Sequence, residues 1–439
     1  MIRERSRLLQ VSCLALLLQW AGSSLAAERL VMISPHWEGL RIEYARAFSD
    51  WHRANYGEPV EFDWRDLGGT SDDLKFVVSE FAQRPDGIGI DLFFGGGIDP
   101  FYDLAKRGLL QAYRPPDEIL SRIPKDVGGV PIYDPEFRWF GAALSSFGIL
   151  YNKRVLEVNG LPVLETWRDL AERAPVGMVG SGDPRNSGTI HMVYEIILQR
   201  YGWADGWAVI TRLAAKLRGF DRTASTTAKE VMMGNTGYAM AVDFYALTQI
   251  AYAGRANMGF VLPRDCTTIN PDGLAILRGA PHPETAQRFV EFVISEPGQK
   301  LLMLPRGAPG GSREFSIERM CILPELYRQY RDVTLVPINP FTQTFSFHYD
   351  PRKGSARWDL LNGLIGATII DVHPELVAAW RRIAGAGTDS AAVTRFAQPP
   401  INEAEAMRLA GAEWRDPRFR QRRLIEWQQW ARTKFGSIP

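Results

Sequence analysis

The chain has 439 residues, of which 46% are hydrophobic and 23% are charged, and its formal net charge at pH 7 is +1. This length and composition are typical of a folded protein with two or three domains or lobes. So small a net charge excludes bulk attraction to nucleic acid or to anionic lipid, and any anion site has to be local. We therefore expect no nucleic-acid partner.

Residues 1–26 have the layout of a cleavable secretory signal peptide. Three arginines precede an apolar run over residues 8–20, and this run is too short to span a bilayer. Small residues follow at positions 24–26, where we expect cleavage. Cleavage after Ala26 removes the three arginines and one glutamate, which changes the formal net charge from +1 to −1.

The mature chain keeps two cysteines, Cys266 and Cys321. An oxidising compartment outside the cytoplasm permits a disulfide between them. Two separate, buried thiols are the other interpretation, because the sequence alone does not measure the distance between the two sulfur atoms. The sequence leaves both interpretations open.

The N-terminal part of the mature chain alternates between strands and helices. Apolar or alternating runs predict three strands, at residues 30–33, 60–64 and 90–94. Loops rich in glycine, at 68–71 and 95–97, lead into helices, and Thr70 or Ser71 is expected to cap the second helix. Such alternation indicates an α/β domain with a parallel sheet.

The middle of the chain contains a second α/β segment, from Trp167 to about Leu262, flanked by two crossing strands. The apolar, β-prone run Trp139–Asn152 is expected to pass from one lobe to the other. Asn270–Leu277 is expected to return. Two lobes joined by such crossings form a cleft with a hinge.

A helix, a turn and a second helix follow within Ala280–Met303. Pro283-Glu284 starts the first helix, and Pro297-Gly298 is expected to end it. Beyond this point, apolar residues at helical spacing predict three further helices, at Trp358–Ile370, Glu375–Ile383 and Phe419–Phe435.

The run Ala280–Met303 carries the pattern Ala-x-x-Phe-Val-x-Phe-x-x-Ser-x-x-Gly-Gln-x-x-Leu. This pattern resembles the late-chain pattern of extracellular solute-binding proteins of ABC importers. Further segments support the resemblance in order and spacing: Ser34–Gly39, Asp91–Gly97, Phe147–Asn152, Asp183–Gly188 and Asn270–Ala286. Over Leu30–Met303 the chain is similar to the periplasmic group that contains ferric-iron, sugar-phosphate and phosphonate binders.

The resemblance implies a two-lobed α/β periplasmic-binding-protein fold of the second topological type, a Venus flytrap with hinge crossings. We assign residues 27–140 and 268–304 to lobe 1 and residues 141–267 to lobe 2. Residues 305–439 are expected to form a mainly helical C-terminal extension that packs on the lobes. The resemblance also implies a periplasmic monomer without a cofactor, which delivers its ligand to an ABC permease in the inner membrane.

The sequence contains no common catalytic motif. Gly-x-Ser-x-Gly, His-Glu-x-x-His, Cys-x-x-Cys and the P-loop are all absent from it, and its six histidines are scattered. No residue can therefore be nominated as a nucleophile, and we expect a binding protein rather than an enzyme.

In an open α/β sheet, ligands bind beyond the carboxyl ends of the strands. This rule selects loops that lead into helix N-termini, and such termini present unpaired N–H groups and the positive end of the helix dipole. We therefore predict a small anionic ligand carrying a phosphate, phosphonate or carboxylate. The predicted ligand-binding residues are Ser34, His36, Trp37, Gly69, Thr70, Ser71, Gly95, Gly96, Gly97, Asp183, Ser187, Gly188, Thr189, Asp243, Tyr245 and Asp272.

Several of these positions also have a purely structural interpretation. Ser187 fits an ordinary helix N-cap, and the run of three glycines fits a tight turn. Trp37 is equally consistent with packing on the first helix. Asp243 and Asp272 fit local capping and turn formation. Their functional interpretation is that they accept hydrogen bonds from sugar hydroxyls or from an amine.

A metal site is one rival to an anion site. Ferric binders of the resembled group hold iron with two adjacent tyrosines, a histidine and an acid, whereas here Phe244 precedes Tyr245. A lesser metal site is conceivable with four ligands, His36, Glu38, Asp243 and Tyr245. A ferric-iron or metal-chelate binder and a periplasmic ligand sensor for a two-component system therefore remain as alternatives.

Overall fold

The structure is a computed structural model that describes residues 28–264, 266, 268–336, 338–343, 347–387 and 390–438. The predicted signal peptide, residues 1–26, lies outside the described residues. Within them the chain is mixed α/β, with one large sheet and many helices.

Parallel strands and alternating helices form the N-terminal part, as predicted. Their bounds are β1 Glu28–Ile33, α1 Glu38–Tyr56, β2 Val60–Arg65, α2 Thr70–Gln83, β3 Leu92–Gly97 and α3 Ile98–Lys106. β1 pairs in parallel with β2 on one side and with β3 on the other. α1 buries Leu40, Tyr44 and Phe48, which share one face at a spacing of four residues, and it ends at Gly57 in the left-handed conformation.

Short elements follow before the long crossing strand β7. They are β4 Leu110–Gln111, α4 Asp117–Leu120, β5 Asp126–Val127, β6 Val130–Pro131 and β7 Phe140–Asn152. The first half of β7 pairs with the later strand β12 (Ile269–Leu277), and its second half pairs with β10 (Tyr238–Val242) and β11 (Met258–Val261). β7 therefore belongs to both halves of the sheet, as expected for a hinge crossing.

The second half of the sheet carries its own helices. Their bounds are α5 Lys153–Val158, α6 Trp167–Arg173, β8 Val179–Gly182, α7 Gly188–Tyr201, α8 Trp203–Ala214, β9 Leu217–Asp221, α9 Ala224–Met232 and α10 Asp243–Ala253. The strands run in the order β7-β10-β8-β9, with β11 on β7. We call the part built on β1–β4 and β12 lobe 1, and the part built on β8–β11 lobe 2. The boundary residues assigned from the sequence remain a proposal.

β12 returns between β3 and β7, antiparallel to both. Two helices follow, α11 Pro283–Ile294 and α12 Glu296–Met303. The predicted break at Pro297-Gly298 is wrong by two residues, because the first helix ends before Ser295 and Pro297 lies inside the first turn of α12. Proline is tolerated there, since the first N–H groups of a helix have no partner within it.

The C-terminal extension is helical mainly from Pro351 onward. Its helices are α13 Pro324–Gln329, α14 Pro351–Ile365 with a π-helical end at Gly366–Ile370, α15 His373–Gly385, α16 Ser390–Ala397, α17 Glu403–Leu409, α18 Ala412–Arg415 and α19 Pro417–Gly436. Between α12 and α14 the described chain is mostly irregular, apart from α13 and a short 3₁₀ turn at Pro340–Thr342.

The extension shares a continuous apolar core with both lobes. One cluster of buried side chains joins Phe101 of lobe 1, Ile197 of lobe 2 and Leu361 of α14. Arg357 of α14 and Glu195 of α7 form a bidentate ion pair, and both side chains are fully buried. α14 also packs along α3 of lobe 1. The extension is thus part of the folded body.

Cys266 and Cys321 are buried in different apolar clusters and do not form a disulfide with each other. The sequence left two interpretations open, a disulfide or two separate thiols, and the structure agrees with the second.

Among the described residues, no single helix is long and apolar enough to cross a membrane. One bent pair, Pro351–Ile370 and His373–Gly385, meets the length and composition criteria when its members are taken together, and it turns by 59°. Many of its apolar side chains lie in the shared core, including Leu361, Leu364 and Leu376.

Candidate functional site

A cavity of about 290 Å³ lies between the lobes, and we call it the interlobe cleft. Its walls come from the carboxyl ends of strands in both lobes, from the crossing strands β7 and β12, and from the helix N-termini that follow the strands. The lining residues are Pro35, His36, Trp37, Asp66, Gly68, Gly69, Thr70, Gly96, Gly97, Ser145, Phe147, Ser187, Gly188, Thr189, Met192, Thr223, Ala224, Ser225, Val242, Phe244, Tyr245, Asn270, Pro271 and Asp272.

Two helices of lobe 2 begin in the wall of the cleft. Ser187 is the N-cap of α7 and its Oγ accepts from the N–H of Ile190, while Thr223 caps α9 and its Oγ1 accepts from the N–H of Thr226. Neither helix has an acidic residue in its first turn. The positive ends of both dipoles are therefore not offset by acids of the helices themselves, a setting that favours an anion, although Asp221 accepts from Thr227 near the start of α9.

Lobe 1 lies opposite these two helix N-termini, and its glycine backbone approaches neighbouring atoms closely. Gly96 has a φ of +87°, and a Cβ at this position would lie 2.3 Å from the Thr70 side chain. A Cβ at Gly69 would lie 2.0 Å from the carbonyl oxygen of Asn186 in lobe 2. Only glycine permits such approaches. Across the same gap, the Ser71 hydroxyl donates to the Pro184 carbonyl over 3.3 Å, so the two lobes touch.

A buried polar network lies at the base of the cleft, where the crossing strands run. Arg319 Nη1 donates to Asp272 Oδ2 over 2.6 Å, and Arg319 Nη2 donates to Ser145 Oγ over 2.8 Å. His36 Nε2 lies 2.8 Å from Asp272 Oδ2. The Arg319 guanidinium also lies over the ring of Phe244, 4.1 Å from its centroid. One arginine of the extension thus contacts both lobes and both crossing strands.

Electrostatics fix the charge states in this network. Burial by itself would raise the pKa of Asp272, but the Arg319 charge and His36 lower that pKa to about 2. Burial lowers the pKa of His36, and the positive charge of Arg319 lowers it further. The negative charge of Asp272 raises this pKa, but by less than the other two effects lower it. At neutral pH the cleft therefore has an ionised Asp272, balanced by Arg319, and a neutral imidazole.

Aromatic side chains and an amide complete the wall. Burial raises the pKa of Tyr245 to about 12, so its hydroxyl keeps its proton and can donate. Asn270 Oδ1 accepts from the N–H of Ile98, while its buried Nδ2 has no hydrogen-bond partner in the described part of the chain. That amide is a donor still available in the wall.

Most of the predicted site residues line the cleft. They are His36, Trp37, Gly69, Thr70, Gly96, Gly97, Ser187, Gly188, Thr189, Tyr245 and Asp272. Two details of the prediction are wrong. Gly69, not Thr70 or Ser71, is the N-cap of α2, and the glycines at 95–97 complete β3 instead of forming a loop, with α3 starting directly after them.

The other predicted residues lie behind the lining, and each has a partner within the protein. Ser34 Oγ bonds to His36, a Cβ on Gly95 would strike the His36 ring, and Ser71 donates to Pro184. Asp183 is paired with Arg185. Asp243 accepts from the N–H and the hydroxyl of Ser146 and from the N–H of Phe244. These side chains position the wall rather than face the cavity.

The four side chains considered for iron do not form a common ligand set. His36 Nε2 is occupied by Asp272 and lies 3.1 Å from the Arg319 guanidinium, whose charge repels a metal cation. Glu38 is exposed and does not line the cleft, and Asp243 is used by Ser146. Among the described residues, no group of three or more His, Cys, Asp or Glu side chains is arranged to hold a metal ion. The proposed iron site is therefore not assembled.

Several residues of the cleft were not among those predicted from the sequence. Thr223 and Ser225 follow β9, and the hydroxyl-rich run after that strand was a usable signal that the strand-end rule would have selected. Ser145 and Asn270 lie on the predicted crossings. Arg319 lies in an irregular stretch with no periodicity, so no local signal pointed to it.

Comparison with known proteins identifies relatives. A family model described as bacterial extracellular solute-binding protein matches residues 87–314. The phosphoglycerate transport regulatory protein PgtC of Salmonella typhimurium is 23% identical over 301 residues, which cover 66% of this chain and 69% of PgtC. Arg319 lies just outside the residues matched by the family model.

Solved structures share the fold. The periplasmic binding protein AfuA from Actinobacillus pleuropneumoniae, with fructose 6-phosphate bound, has a TM-score of 0.60 at 18% identity, over 81% of this chain and 98% of AfuA. Iron-bound HitA from Pseudomonas aeruginosa has a TM-score of 0.51 at 20% identity, over 66% of this chain and 90% of HitA. At such identities these similarities show the fold alone, and they confirm the predicted two-lobed periplasmic-binding-protein architecture.

Proposed function

The chain belongs to the family of bacterial extracellular solute-binding proteins, and on that premise we propose that it captures a small anionic solute for an ABC importer. The solute carries a phosphate, phosphonate or carboxylate and binds in the interlobe cleft. One observation carries the proposal: α7 and α9 begin side by side in the cleft wall, at Ser187 and Thr223, with no acid in the first turn of either helix. An anion is the ligand that two such helix ends favour.

The anionic group is held by hydroxyls and backbone N–H groups of lobe 2, at Ser187, Gly188, Thr189, Thr223 and Ser225. No arginine or lysine lines the described cleft, and the Arg319 charge behind it is balanced by Asp272. The remaining part of the ligand meets hydroxyl, amide and carboxylate groups, from Tyr245, Asn270 and Asp272 among others. These groups fit a ligand with hydroxyls as well as an anionic group.

Cleft size and similar proteins support a small metabolite. A volume of about 290 Å³ is near the lower end of the range of small-molecule sites. AfuA was solved with fructose 6-phosphate, and the name of PgtC refers to phosphoglycerate. Both are phosphorylated metabolites.

Binding works by closure of the two lobes about β7 and β12. The contacts across the cleft mouth, Ser71 to Pro184 and Lys75 to Arg185, form when the lobes meet and break when they part. Ligand bound between α7 and α9 on one side and the Gly69–Thr70 backbone on the other stabilises the closed state, because both sides contact it. The mature chain acts in the periplasm as a monomer and releases its ligand to the permease.

Calorimetric titration of the purified mature protein tests the proposal. Fructose 6-phosphate and 3-phosphoglycerate serve as anionic probes, and fructose serves as the neutral control. We expect binding of at least one phosphorylated probe and none of fructose, and we expect Ser187→Ala and Gly188→Val to weaken that binding. A Cβ added at Gly188 would lie 3.0 Å from the Thr70 side chain, so the larger valine side chain obstructs closure. Equal binding of charged and neutral probes, or unchanged affinity in both variants, contradicts the proposal.

A second candidate function is ligand sensing for a two-component system. The name of the relative PgtC, a transport regulatory protein, favours it. Co-purification distinguishes the two functions. An importer subunit is retained by its permease in detergent extracts of the host membrane, whereas a sensor subunit is retained by a membrane histidine kinase.

A further inference from the structure

A second cavity, of about 800 Å³, lies between lobe 1 and the C-terminal helices, and its lining shares no residue with the interlobe cleft. We call it the C-terminal groove. Its walls come from α2, α3 and the segment before β7 on one side, and from α14, α17, α18 and the start of α19 on the other. We propose that this groove binds a small organic anion with a flat, aromatic or otherwise apolar body.

Aromatic side chains form much of the wall. Trp139, Trp358 and Trp414 are nearly fully buried and line the groove, and Tyr102 packs on Trp139 with ring centroids 5.4 Å apart. None of the three indole N–H groups has a hydrogen-bond partner in the described part of the chain. Flat apolar surface suits an aromatic ring better than a sugar.

The rim carries an excess of positive charge. Lys106, Arg352, Arg415 and Arg420 line the groove, are exposed, and form no ion pair with the described residues. Acids of the lining are mostly neutralised: Asp103 pairs with Arg107, while Asp134 and Glu136 pair with Arg138. Asp359 is the remaining carboxylate of the lining, so unpaired cations outnumber unpaired acids and the groove attracts anions.

Two of these cations sit where folding disfavours them. Arg352 is the second residue of α14, and Arg420 is the fourth residue of α19. A positive side chain near a helix N-terminus opposes the positive end of the dipole, and acids are the favoured residues there. The N-cap carboxylates Asp350 and Asp416 offset part of this repulsion, and an anion in the groove offsets more of it.

Calorimetric titration with 2-naphthoate tests the proposal, with 2-naphthalenemethanol as the neutral probe of the same ring size. We expect one naphthoate per chain and weaker binding of the alcohol. Arg352→Glu combined with Arg420→Glu is expected to weaken naphthoate binding about tenfold, because two rim charges are reversed. Arg422→Glu is the matched control: Arg422 is exposed on the same helix, does not line the groove, and its reversal should leave affinity within about twofold.

Two further measurements distinguish a loss of binding in the C-terminal groove from a loss of folding and from binding in the interlobe cleft. Glutamate near a helix N-terminus agrees with the dipole, so the double variant should keep or raise its melting temperature. Gly188→Val, which alters the interlobe cleft, should retain naphthoate binding. Equal affinity for naphthoate and the alcohol, no effect of the double variant, an equal effect of Arg422→Glu, or loss of binding in Gly188→Val overturns the proposal.

Discussion

Arg319 Nη1 donates a hydrogen bond to Asp272 Oδ2 over 2.6 Å, and the two side chains join the irregular part of the C-terminal extension to the crossing strand β12. Arg319 is 2% exposed and Asp272 is 7% exposed. Removal of one partner of a buried ion pair leaves an uncompensated charge, which costs about 3–5 kcal/mol. We expect Arg319→Ala to lower the free energy of unfolding by an amount in this range, measured by urea denaturation.

A surface ion pair of the same segment provides the control. Arg313 pairs with Asp50 over 2.9 Å, and these side chains are 65% and 42% exposed. Exposed pairs contribute about 0–1 kcal/mol, so Arg313→Ala should have little effect. Addition of Asp272→Asn to Arg319→Ala should recover part of the lost stability, because it removes the orphaned charge. Equal losses for Arg313→Ala and Arg319→Ala would show that burial does not decide the effect.

Low pH should lower the free energy of unfolding, partly through protonation of Asp272. Its pKa is lowered from 3.8 to about 2 in the folded state, because Arg319 and His36 outweigh the effect of burial. The ionised group therefore contributes about 2 kcal/mol above pH 4, and this contribution is lost as the pH falls from about 4 to about 2. We expect Asp272→Asn to have a smaller loss of unfolding free energy over this interval. Parallel curves for the two proteins would contradict the assigned charge state.

Asp73 should have the opposite effect on stability: it should lower the free energy of unfolding as the pH rises, and at higher pH than Asp272 acts. It is fully buried, and neither carboxylate oxygen has a partner in the described part of the chain. Burial, with Asp66 and Asp72 nearby, raises its pKa from 3.8 to about 8. The folded state therefore binds a proton that the unfolded state releases, and stability falls as the pH rises from about 4 to about 8, by up to about 1.4 kcal/mol per pH unit.

Substitution of this aspartate isolates its contribution. Asp73→Asn should flatten the decline in unfolding free energy between pH 4 and pH 8, since the amide does not titrate. Asp332→Asn serves as the comparison, because Asp332 is 85% exposed. A decline that persists unchanged in Asp73→Asn would mean that Asp73 is ionised in the folded protein at neutral pH.

A single methyl group at Gly69 should hold the lobes apart. Gly69 has an ordinary extended backbone, with φ −108° and ψ 168°, so alanine fits lobe 1 without strain. Its Cβ, however, would lie 2.0 Å from the Asn186 carbonyl oxygen of lobe 2. We expect Gly69→Ala to keep its stability, to have a larger radius of gyration by small-angle X-ray scattering, and to bind ligand at least tenfold more weakly.

Gly219→Ala is the control for this experiment. A Cβ at Gly219 meets no atom within 4 Å, so the scattering curve and the affinity should match those of the unmodified protein. A Gly69→Ala protein with unchanged dimensions and affinity would mean that the Gly69–Asn186 contact is not needed for closure.

The sequence predicted those features that repeat locally. Apolar residues at a spacing of four, such as Leu40, Tyr44 and Phe48, predicted the helices, and the strand-end rule selected both Ser187 and Thr70, which line the cleft. Arg319 was not predictable in this way, because its partners Asp272 and His36 are 47 and 283 residues distant along the chain. Local patterns carry no record of such long-range pairings.

The glycines at 95–97 illustrate a second limit of prediction from the sequence. A run of three glycines indicates a turn on average, but here pairing with β12 continues the strand through Gly97. Close approach to His36 and Thr70, together with φ values of +115° and +87°, accounts for Gly95 and Gly96. Tertiary contact overrides local propensity in this segment.

Native mass spectrometry of the protein purified from a periplasmic extract tests the central claim most directly. The mass of the folded protein is compared with the mass after denaturation. We predict a labile adduct with the mass of a small anionic metabolite, which is lost on denaturation and is absent from Gly69→Ala. A protein that carries only an iron ion, or a neutral solute, or no adduct at all, would contradict capture of an anion in the interlobe cleft.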